Sequence, residues 1–225
     1  MAIKKQGNEK KGKPWPTKDV MKQIYELNLW GGKPSEFYSG TGSHFPEIIN
    51  PYIETLSSFL SSFGFPPSVC DLGCGDFNVG KNLIKFTKKY IAVDIVAPLI
   101  AHNKEKYTGE NIEFQCLDIA TDNLPSADCA IIRQVLQHLS NAEIQNIAEK
   151  LYAYKYIVLT EHIPNGHFIP NKEIISGQGT RLKKQSGVNL VAAPFNFRIK
   201  EEKQLLSISL GDNQGLIQTK LYTTF

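Results

Sequence analysis

The sequence predicts an α/β fold in which a doubly wound, mostly parallel sheet lies between helices. From residue 64 onward, five short apolar runs alternate with segments that are compatible with helices. This alternation favours parallel strands joined by right-handed crossovers. Two further β-rich runs flank residues 211–215 near the end of the chain, and they predict a C-terminal antiparallel hairpin.

The chain of 225 residues, 41% of them hydrophobic, is long enough to bury the core of one domain. We expect residues 1–17 to form a flexible basic arm, residues 18–63 an N-terminal helical cap and lid, and residues 64–225 the core. Within the cap, residues 30–45 mix glycines, hydroxyl side chains and aromatic rings, which is typical of a loop over a ligand. We call residues 30–45 the N-terminal loop. Residues 163–200 are polar and longer than a connection needs, so we interpret them as an insertion.

The individual elements follow from hydrophobic periodicity and from the positions of Gly and Pro. Predicted helices cover residues 19–29, 46–63, 78–87, 98–107 and 141–152. Predicted strands cover residues 68–72, 90–94, 111–115, 128–133, 156–161, 203–210 and 216–225.

Charge is unevenly distributed along the chain. Seven Lys lie in the first 22 residues, so the remainder has 18 basic and 20 acidic residues although the whole chain carries +3. A nearly neutral body argues against a nucleic-acid partner, and the arm is interpreted as a solvated terminus, with contact to RNA or a membrane as the alternative. We expect no membrane segment, and the four cysteines, whose spacing matches no zinc site, predict buried reduced thiols in a cytoplasmic protein.

The first predicted strand ends in a glycine-rich turn, read as VCDLGCGDFNVG from Val69 to Gly80. A dinucleotide fingerprint would need a third glycine at Asn78, so this turn does not favour a nicotinamide-dependent oxidoreductase. The pattern of Asp71, Gly73 and Gly75 resembles motif I of the class I S-adenosylmethionine-dependent methyltransferases. The resemblance implies a Rossmann-like, seven-stranded sheet, with S-adenosyl-L-methionine as methyl donor and S-adenosylhomocysteine as product. It also implies that this turn holds the methionine end of the donor.

Two more acids follow the next two predicted strands. Asp94, followed by Ile95, comes about 20 residues after the glycine turn, where a carboxylate is placed to accept the hydroxyls of a ribose. Asp118 follows the third strand and reaches the same edge of the sheet. In the family that this chain resembles, these acids bind the ribose and the adenine amino group, and the backbone amide of Ile119 would meet the adenine ring.

The segment after the fourth strand reads RQVLQHL, residues 133–139, which we call the post-β4 segment. It resembles the VLxHL segment of the same family, with His138 at the histidine. The resemblance places Arg133 and Gln134 nearest to the transferable methyl group. His138 is a candidate proton acceptor, and the alternative is a histidine that only satisfies loop carbonyls.

Glu161 and His162 end the fifth predicted strand, where an acid and an imidazole could deprotonate a hydroxyl or orient an amine. Together with His138 and Arg133 they are our candidate catalytic residues. Weaker candidates, for which solvated loop side chains are the alternative, are Tyr38, Ser43 and His44 in the N-terminal loop and Arg181 in the insertion.

The predicted function is methyl transfer by direct displacement to an oxygen or nitrogen of a small-molecule acceptor, with the insertion on the acceptor side. No carboxylate cluster for a catalytic metal can be assigned, and the Asn-Pro-Pro-aromatic motif of many amino-group methyltransferases is absent from the post-β4 segment. Two alternatives stay open. The chain could be an RNA or protein methyltransferase, or a non-catalytic nucleoside-binding α/β scaffold.

Overall fold

The computed structural model describes residues 14–33, 36–211 and 214–225. In these residues seven strands form one sheet in the order β3-β2-β1-β4-β5-β7-β6. The strands are β1 (Ser68–Leu72), β2 (Lys89–Asp94), β3 (Ile112–Cys116), β4 (Cys129–Arg133), β5 (Tyr156–Ile163), β6 (Glu201–Ser209) and β7 (Leu216–Thr223). The pairs among β1 to β5 are parallel, and β7 pairs antiparallel with both β5 and β6. The predicted doubly wound sheet with its terminal hairpin is confirmed.

Four α-helices occur in the described residues: α1 (Thr17–Glu26), α2 (Pro46–Ser61), α3 (Ala97–Lys106) and α4 (Asn141–Leu151). Helix α4 begins at a capping box, in which Ser140 and Glu143 satisfy each other's backbone amides. Among the described helices none has the length and apolar character that crossing a bilayer requires.

Residues 78–87 do not form the predicted α-helix, and that prediction is wrong. They form two short 3-10 turns, Gly80–Asn82 and Ile84–Phe86. The Asn82 side-chain amide donates to the carbonyl oxygens of Asn78 and Val79, at 3.0 and 3.2 Å. At Asn78 it takes the place of the Asn82 main-chain amide, which donates to the Val79 carbonyl at 3.1 Å. Local side-chain bonding therefore prevails over the helical periodicity of this segment.

The sheet is buried on both faces. Neighbouring β1 residues Val69 and Cys70 belong to two separate apolar clusters, one including α2 and the other including α1 and α4, as expected of a covered parallel sheet. Cys70 and Cys129 are buried as predicted, whereas Cys116 is exposed because it stands at the end of edge strand β3. Of the predicted basic arm, residues 1–13 lie outside the described residues.

Candidate active site

A cavity of about 310 Å³ opens at the carboxyl ends of the central parallel strands. Its floor contains the glycine turn and the ends of β1, β2 and β4, and its opposite wall is residues 39–43 of the N-terminal loop. Ligands of doubly wound folds bind at this edge of the sheet. We call it the main cavity.

The glycine turn requires its two glycines. Gly73 and Gly75 have φ of 88° and 56°, values that strain other residues. A Cβ on Gly73 would lie 2.4 Å from Val135 Cγ2, and one on Gly75 would lie 2.4 Å from Ser39 Oγ. The turn is therefore pressed between the post-β4 segment and the N-terminal loop.

Asp71 is buried directly beneath this turn. Its Oδ2 accepts a hydrogen bond of 2.9 Å from the Tyr90 hydroxyl. Burial raises the pKa of Asp71 to about 7, and the Tyr90 hydroxyl and the Arg133 guanidinium oppose that rise. Asp71 thus changes charge near neutral pH when the cavity holds no ligand.

Asp94 is held by the backbone on both sides. Its carboxylate accepts from the amides of Gly75, at 3.1 Å, and Val96, at 3.0 Å. Burial raises the pKa of Asp94 to about 6, although these hydrogen bonds favour the ionised form. The carboxylate is oriented before any ligand arrives.

Asp118 lies at the same end of the cavity as Asp94. Its Oδ1 accepts from the Ala120 amide at 2.9 Å, and its own amide donates to Asp122 Oδ2 at 2.9 Å. Asp71, Asp94 and Asp118 all line the main cavity, as do Ile95 and Ile119. The fold therefore brings the predicted donor-side residues to one place.

Arg133 joins the end of β4 to the N-terminal loop. Its guanidinium donates to Ser43 Oγ at 3.1 Å and to the carbonyl oxygen of Gly42, and it lies 4.9 Å from the centre of the Tyr52 ring. Among the described residues, Arg133 Nε is a buried donor without a partner. Burial lowers the pKa of this guanidinium, and the neighbouring Tyr52, Asp71 and Asp76 counter that effect. Arg133 is thus a partly buried cation beside the predicted donor site, and its Nε is wholly buried.

Gln134 follows Arg133 with a left-handed backbone, at φ of 57°. Its amide donates to the carbonyl oxygen of Thr160 at 2.7 Å. This bend turns the chain away from the sheet, so that Gln134 also lines the main cavity.

Asp76 contacts the N-terminal loop at several points, and sequence reasoning gave it no role. Asp76 Oδ2 accepts from the Ser39 amide at 2.8 Å and lies 2.6 Å from His44 Nε2. The Asp76 amide donates to Ser39 Oγ at 2.8 Å. Its position one residue after Gly75 was the signal that could have identified it.

Both ring nitrogens of His138 have hydrogen-bond partners within the protein. Its Nδ1 lies 3.1 Å from the carbonyl oxygen of Gly177, so Nδ1 carries the proton, and Nε2 faces the Gln137 amide nitrogen at 3.2 Å. Burial lowers the pKa of His138 to about 4. Both ring nitrogens of this neutral histidine are occupied, which favours a role limited to satisfying loop carbonyls.

Glu161 and His162 are separated by the strand on which they lie. Successive residues of a strand point to opposite faces, and only His162 lines the main cavity. Glu161 lines a second cavity of about 340 Å³, next to Val188 of the insertion. Hence the two side chains that sequence reasoning grouped do not meet.

His162 has a defined tautomer. Its Nε2 lies 2.6 Å from the carbonyl oxygen of Gln214, so Nε2 is the donor and Nδ1 carries the lone pair. Burial lowers the pKa of His162 below its usual value, and the Gln214 carbonyl opposes that effect. A neutral imidazole with a free lone pair can accept a proton.

Of the four weaker candidates, Ser43 lines the main cavity, whereas Tyr38, His44 and Arg181 are not among the residues that line either cavity. Tyr38 stacks on His44 with ring centroids 4.2 Å apart. Arg181 is buried, with a relative exposure of 1%, which rules out the solvated alternative. As far as the described residues show, residues 163–200 contribute nothing to the lining of the main cavity; the insertion packs behind the post-β4 segment.

Residues 69–154 match a family model described as a methyltransferase domain. No protein of curated function matches the sequence. Among solved structures, human N-acetylserotonin methyltransferase in complex with S-adenosylmethionine matches with a TM-score of 0.58 and 17% identity, over 93% of this chain and 60% of that one. The chain thus spans less than two thirds of that enzyme's length.

Two bacterial structures match along almost their whole length. An N-methyltransferase from Bradyrhizobium japonicum with S-adenosylhomocysteine has a TM-score of 0.61 and 14% identity, over 91% of this chain and 99% of that one. Magnesium protoporphyrin IX methyltransferase from Synechocystis, also with S-adenosylhomocysteine, has a TM-score of 0.59 and 14% identity, over 93% and 100%. Residues 69–154 thus match a methyltransferase domain, and the chain shares its fold with three methyltransferases whose structures hold S-adenosylmethionine or S-adenosylhomocysteine.

Proposed function

We propose that this protein is an S-adenosylmethionine-dependent methyltransferase, which transfers the methyl group of that donor to an oxygen or nitrogen of a small-molecule acceptor by direct displacement. The observation that supports this most is one cavity that joins the donor-side acids to His162 beneath the N-terminal loop. Two of the similar structures belong to enzymes named for small molecules, N-acetylserotonin and magnesium protoporphyrin IX. A cytoplasmic location is part of the proposal, and the four free thiols support it.

The residues of the main cavity suit the donor. Asp94 would accept the ribose hydroxyls, and Asp118 with the Ile119 amide would meet the adenine. We assign the donor's carboxylate to the Arg133 guanidinium, because this cation lines the main cavity and charge-assisted hydrogen bonds to carboxylates are strong. Asp71 and the backbone at Gly73 and Gly75 would meet its ammonium group, and Gln134 would lie beside them.

The acceptor would enter between the N-terminal loop and His162. When bound, S-adenosylmethionine supplies an electrophilic methyl group, whose bond to sulfur breaks as the bond to the acceptor forms, with the electron pair left on sulfur. The protein's part is orientation of the two reactants, which accounts for much of the acceleration in such reactions. We assign acceptance of the acceptor's proton to His162 Nδ1, because the Gln214 carbonyl holds the other ring nitrogen.

A panel of acceptors tests the proposal. The protein is incubated with S-adenosylmethionine labelled in the methyl group and with phenols, alcohols, carboxylic acids and amines, and separately with total RNA and with a peptide mixture. We expect label in at least one small-molecule class. Label in RNA or peptide alone would select the alternative class of acceptor, and donor binding with no transfer to any pool would favour the non-catalytic scaffold.

A further inference from the structure

The post-β4 segment places Arg133, Gln134 and Gln137 on the lining of the main cavity, and its backbone is irregular after Arg133, the last residue of β4. Gln134 is left-handed, and the only regular structure beyond Arg133 is the single 3-10 turn Leu136–His138. So short a turn leaves most of its amides and carbonyls without partners of its own. Groups outside the segment must therefore satisfy them.

Glu161 accepts a hydrogen bond from a backbone amide of the post-β4 segment. Its Oε1 accepts from the Leu136 amide at 3.2 Å, and the carboxyl is almost fully buried, with a relative exposure of 3%. It approaches from the face of the sheet opposite to His162. Glu161 therefore touches the segment from behind and does not reach into the main cavity.

Arg181 donates hydrogen bonds to backbone carbonyls of the post-β4 segment. Its Nη1 donates to the Leu136 carbonyl at 3.0 Å, and Nη2 donates to the Leu139 carbonyl at 2.7 Å and to Asn141 Oδ1 at 2.7 Å. Its Nε donates to the Lys172 carbonyl at 3.0 Å, within the insertion. The planar guanidinium thus joins the insertion to both ends of the 3-10 turn, a geometry that Lys cannot reproduce.

The Arg181 guanidinium also acts electrostatically on the Glu161 carboxyl. Burial raises the pKa of Glu161 to about 8, and the Arg181 guanidinium opposes this rise. Lys220 and Tyr222 of β7 line the same second cavity, and the Lys220 ammonium is paired with Glu202 at 2.6 Å. Arg181 is accordingly the cation that acts on Glu161.

We propose that Glu161 and Arg181 are positioning residues that hold the post-β4 segment from behind and so set Arg133, Gln134 and Gln137 at the edge of the main cavity. Neither residue touches a reactant. The insertion then acts through Arg181, as a support for the site and not as part of its wall. The effect on catalysis rests on the proposed function, whereas the effect on the order of the post-β4 segment does not.

The test compares variants that keep or remove the hydrogen bonds. Glu161→Gln still offers an oxygen to the Leu136 amide, whereas Glu161→Leu does not. Arg181→Lys keeps the positive charge but loses the planar set of guanidinium donors, and Arg181→Met removes both the charge and the donors. Arg198→Met is the matched control, because Arg198 is exposed in the same insertion.

The readouts are amide hydrogen exchange of peptides covering residues 133–140 and calorimetry with S-adenosylhomocysteine. We expect exchange about tenfold faster there in Glu161→Leu, Arg181→Met and Arg181→Lys, with other core peptides unchanged. We also expect these variants to bind S-adenosylhomocysteine about tenfold more weakly, while Glu161→Gln and Arg198→Met behave like the wild type.

The inference is overturned if hydrogen exchange in residues 133–140 is unchanged in Arg181→Lys. It is also overturned if Glu161→Gln binds S-adenosylhomocysteine as weakly as Glu161→Leu does, because only a chemical role for the carboxyl requires the acid. If Glu161→Leu and Arg181→Met fail to fold, Glu161→Gln and Arg181→Lys still test the inference. A wild-type protein that transfers no methyl group would defeat the proposed function, but it would leave the exchange results to judge this inference separately.

Discussion

His44 and Asp76 join the N-terminal loop to the glycine turn, with His44 Nε2 lying 2.6 Å from Asp76 Oδ2. The same carboxylate oxygen accepts from the Ser39 amide at 2.8 Å. On the other side of the cavity Arg133 donates to Gly42 and Ser43. Hydrogen bonds therefore hold the N-terminal loop over the main cavity at two places.

Replacing His44 by Ala removes one fastening and should speed ligand release. We expect S-adenosylhomocysteine to dissociate about tenfold faster, because the hydrogen bond between His44 and Asp76 stabilises the closed loop by roughly 1.4 kcal/mol. Stopped-flow displacement measures this rate. His167→Ala, an exposed histidine in the insertion, is the control; equal rates in both variants would mean that the loop does not close the donor site.

Asp94→Ala should weaken donor binding. The carboxylate is preoriented by two backbone amides, so its removal deletes the proposed ribose acceptor and we expect about a tenfold higher Kd, or about 1.4 kcal/mol. Calorimetry with S-adenosylhomocysteine measures it, with the exposed Glu105→Ala of α3 as control.

The pH dependence of binding provides a second check on Asp94. Its pKa of about 6 in the free protein means that the carboxylate is ionised above pH 6 and neutral below it. Affinity should therefore fall from pH 7 to pH 5 more steeply in the wild type than in Asp94→Ala. Parallel pH curves for the two proteins would argue against a ribose contact by this acid.

Asp71→Asn should stabilise the ligand-free protein at pH 8. The pKa of Asp71 is raised from 3.8 to about 7, so the folded state binds the proton more tightly than the unfolded state. Its contribution to stability is complete below pH 3.8 and is lost as the pH rises to 7. The gain in Tm of Asp71→Asn over the wild type should thus be larger at pH 8 than at pH 5. Scanning calorimetry at both pH values measures it, with Glu110→Gln as the exposed control; a gain that does not grow with pH would contradict the burial argument.

Gly73→Ala should destabilise the fold. The new methyl group would meet Val135 at 2.4 Å, and alanine disfavours a φ of 88°, so we expect a loss of more than about 1 kcal/mol. Denaturant unfolding measures the free energy. Gly64→Ala is the control, since a Cβ there meets nothing within 4 Å and Gly64 has no positive φ. Equal stability of the two variants would show that the turn can relax.

His162→Gln should lower kcat for the acceptor identified by the labelling panel, while S-adenosylhomocysteine binding is retained. Glutamine still donates to the Gln214 carbonyl but cannot take up the acceptor's proton. Because the pKa of His162 lies below 6.5, wild-type kcat/KM should be level above pH 7 and fall in acid. Steady-state rates between pH 5 and 8 measure both effects. A variant that keeps the wild-type profile would exclude His162 as the proton acceptor.

The sequence alone determined the sheet, the glycine turn and the order of the acids that follow the strands. These features depend on local alternation of apolar runs and on Asp71, Asp94 and Asp118 each leaving its own parallel strand, and such strands end at one edge by construction. It did not determine the structure of residues 78–87, where the Asn82 side chain takes the carbonyls that a helix would use.

Only the tertiary structure decided which side chains share a cavity. Glu161 and His162 point to opposite faces of the sheet, and distant segments decide what each face holds: the N-terminal loop lines the cavity of His162, and the insertion lines the cavity of Glu161. Asp76 and Arg133 owe their importance to hydrogen bonds with a loop 32 and 90 residues away. Arg181, which in sequence is one charge in a polar stretch, is buried because it joins the insertion to the carbonyls of Leu136 and Leu139. Long-range interactions of this kind have no local signature, since they depend on where the packed sheet brings distant segments together.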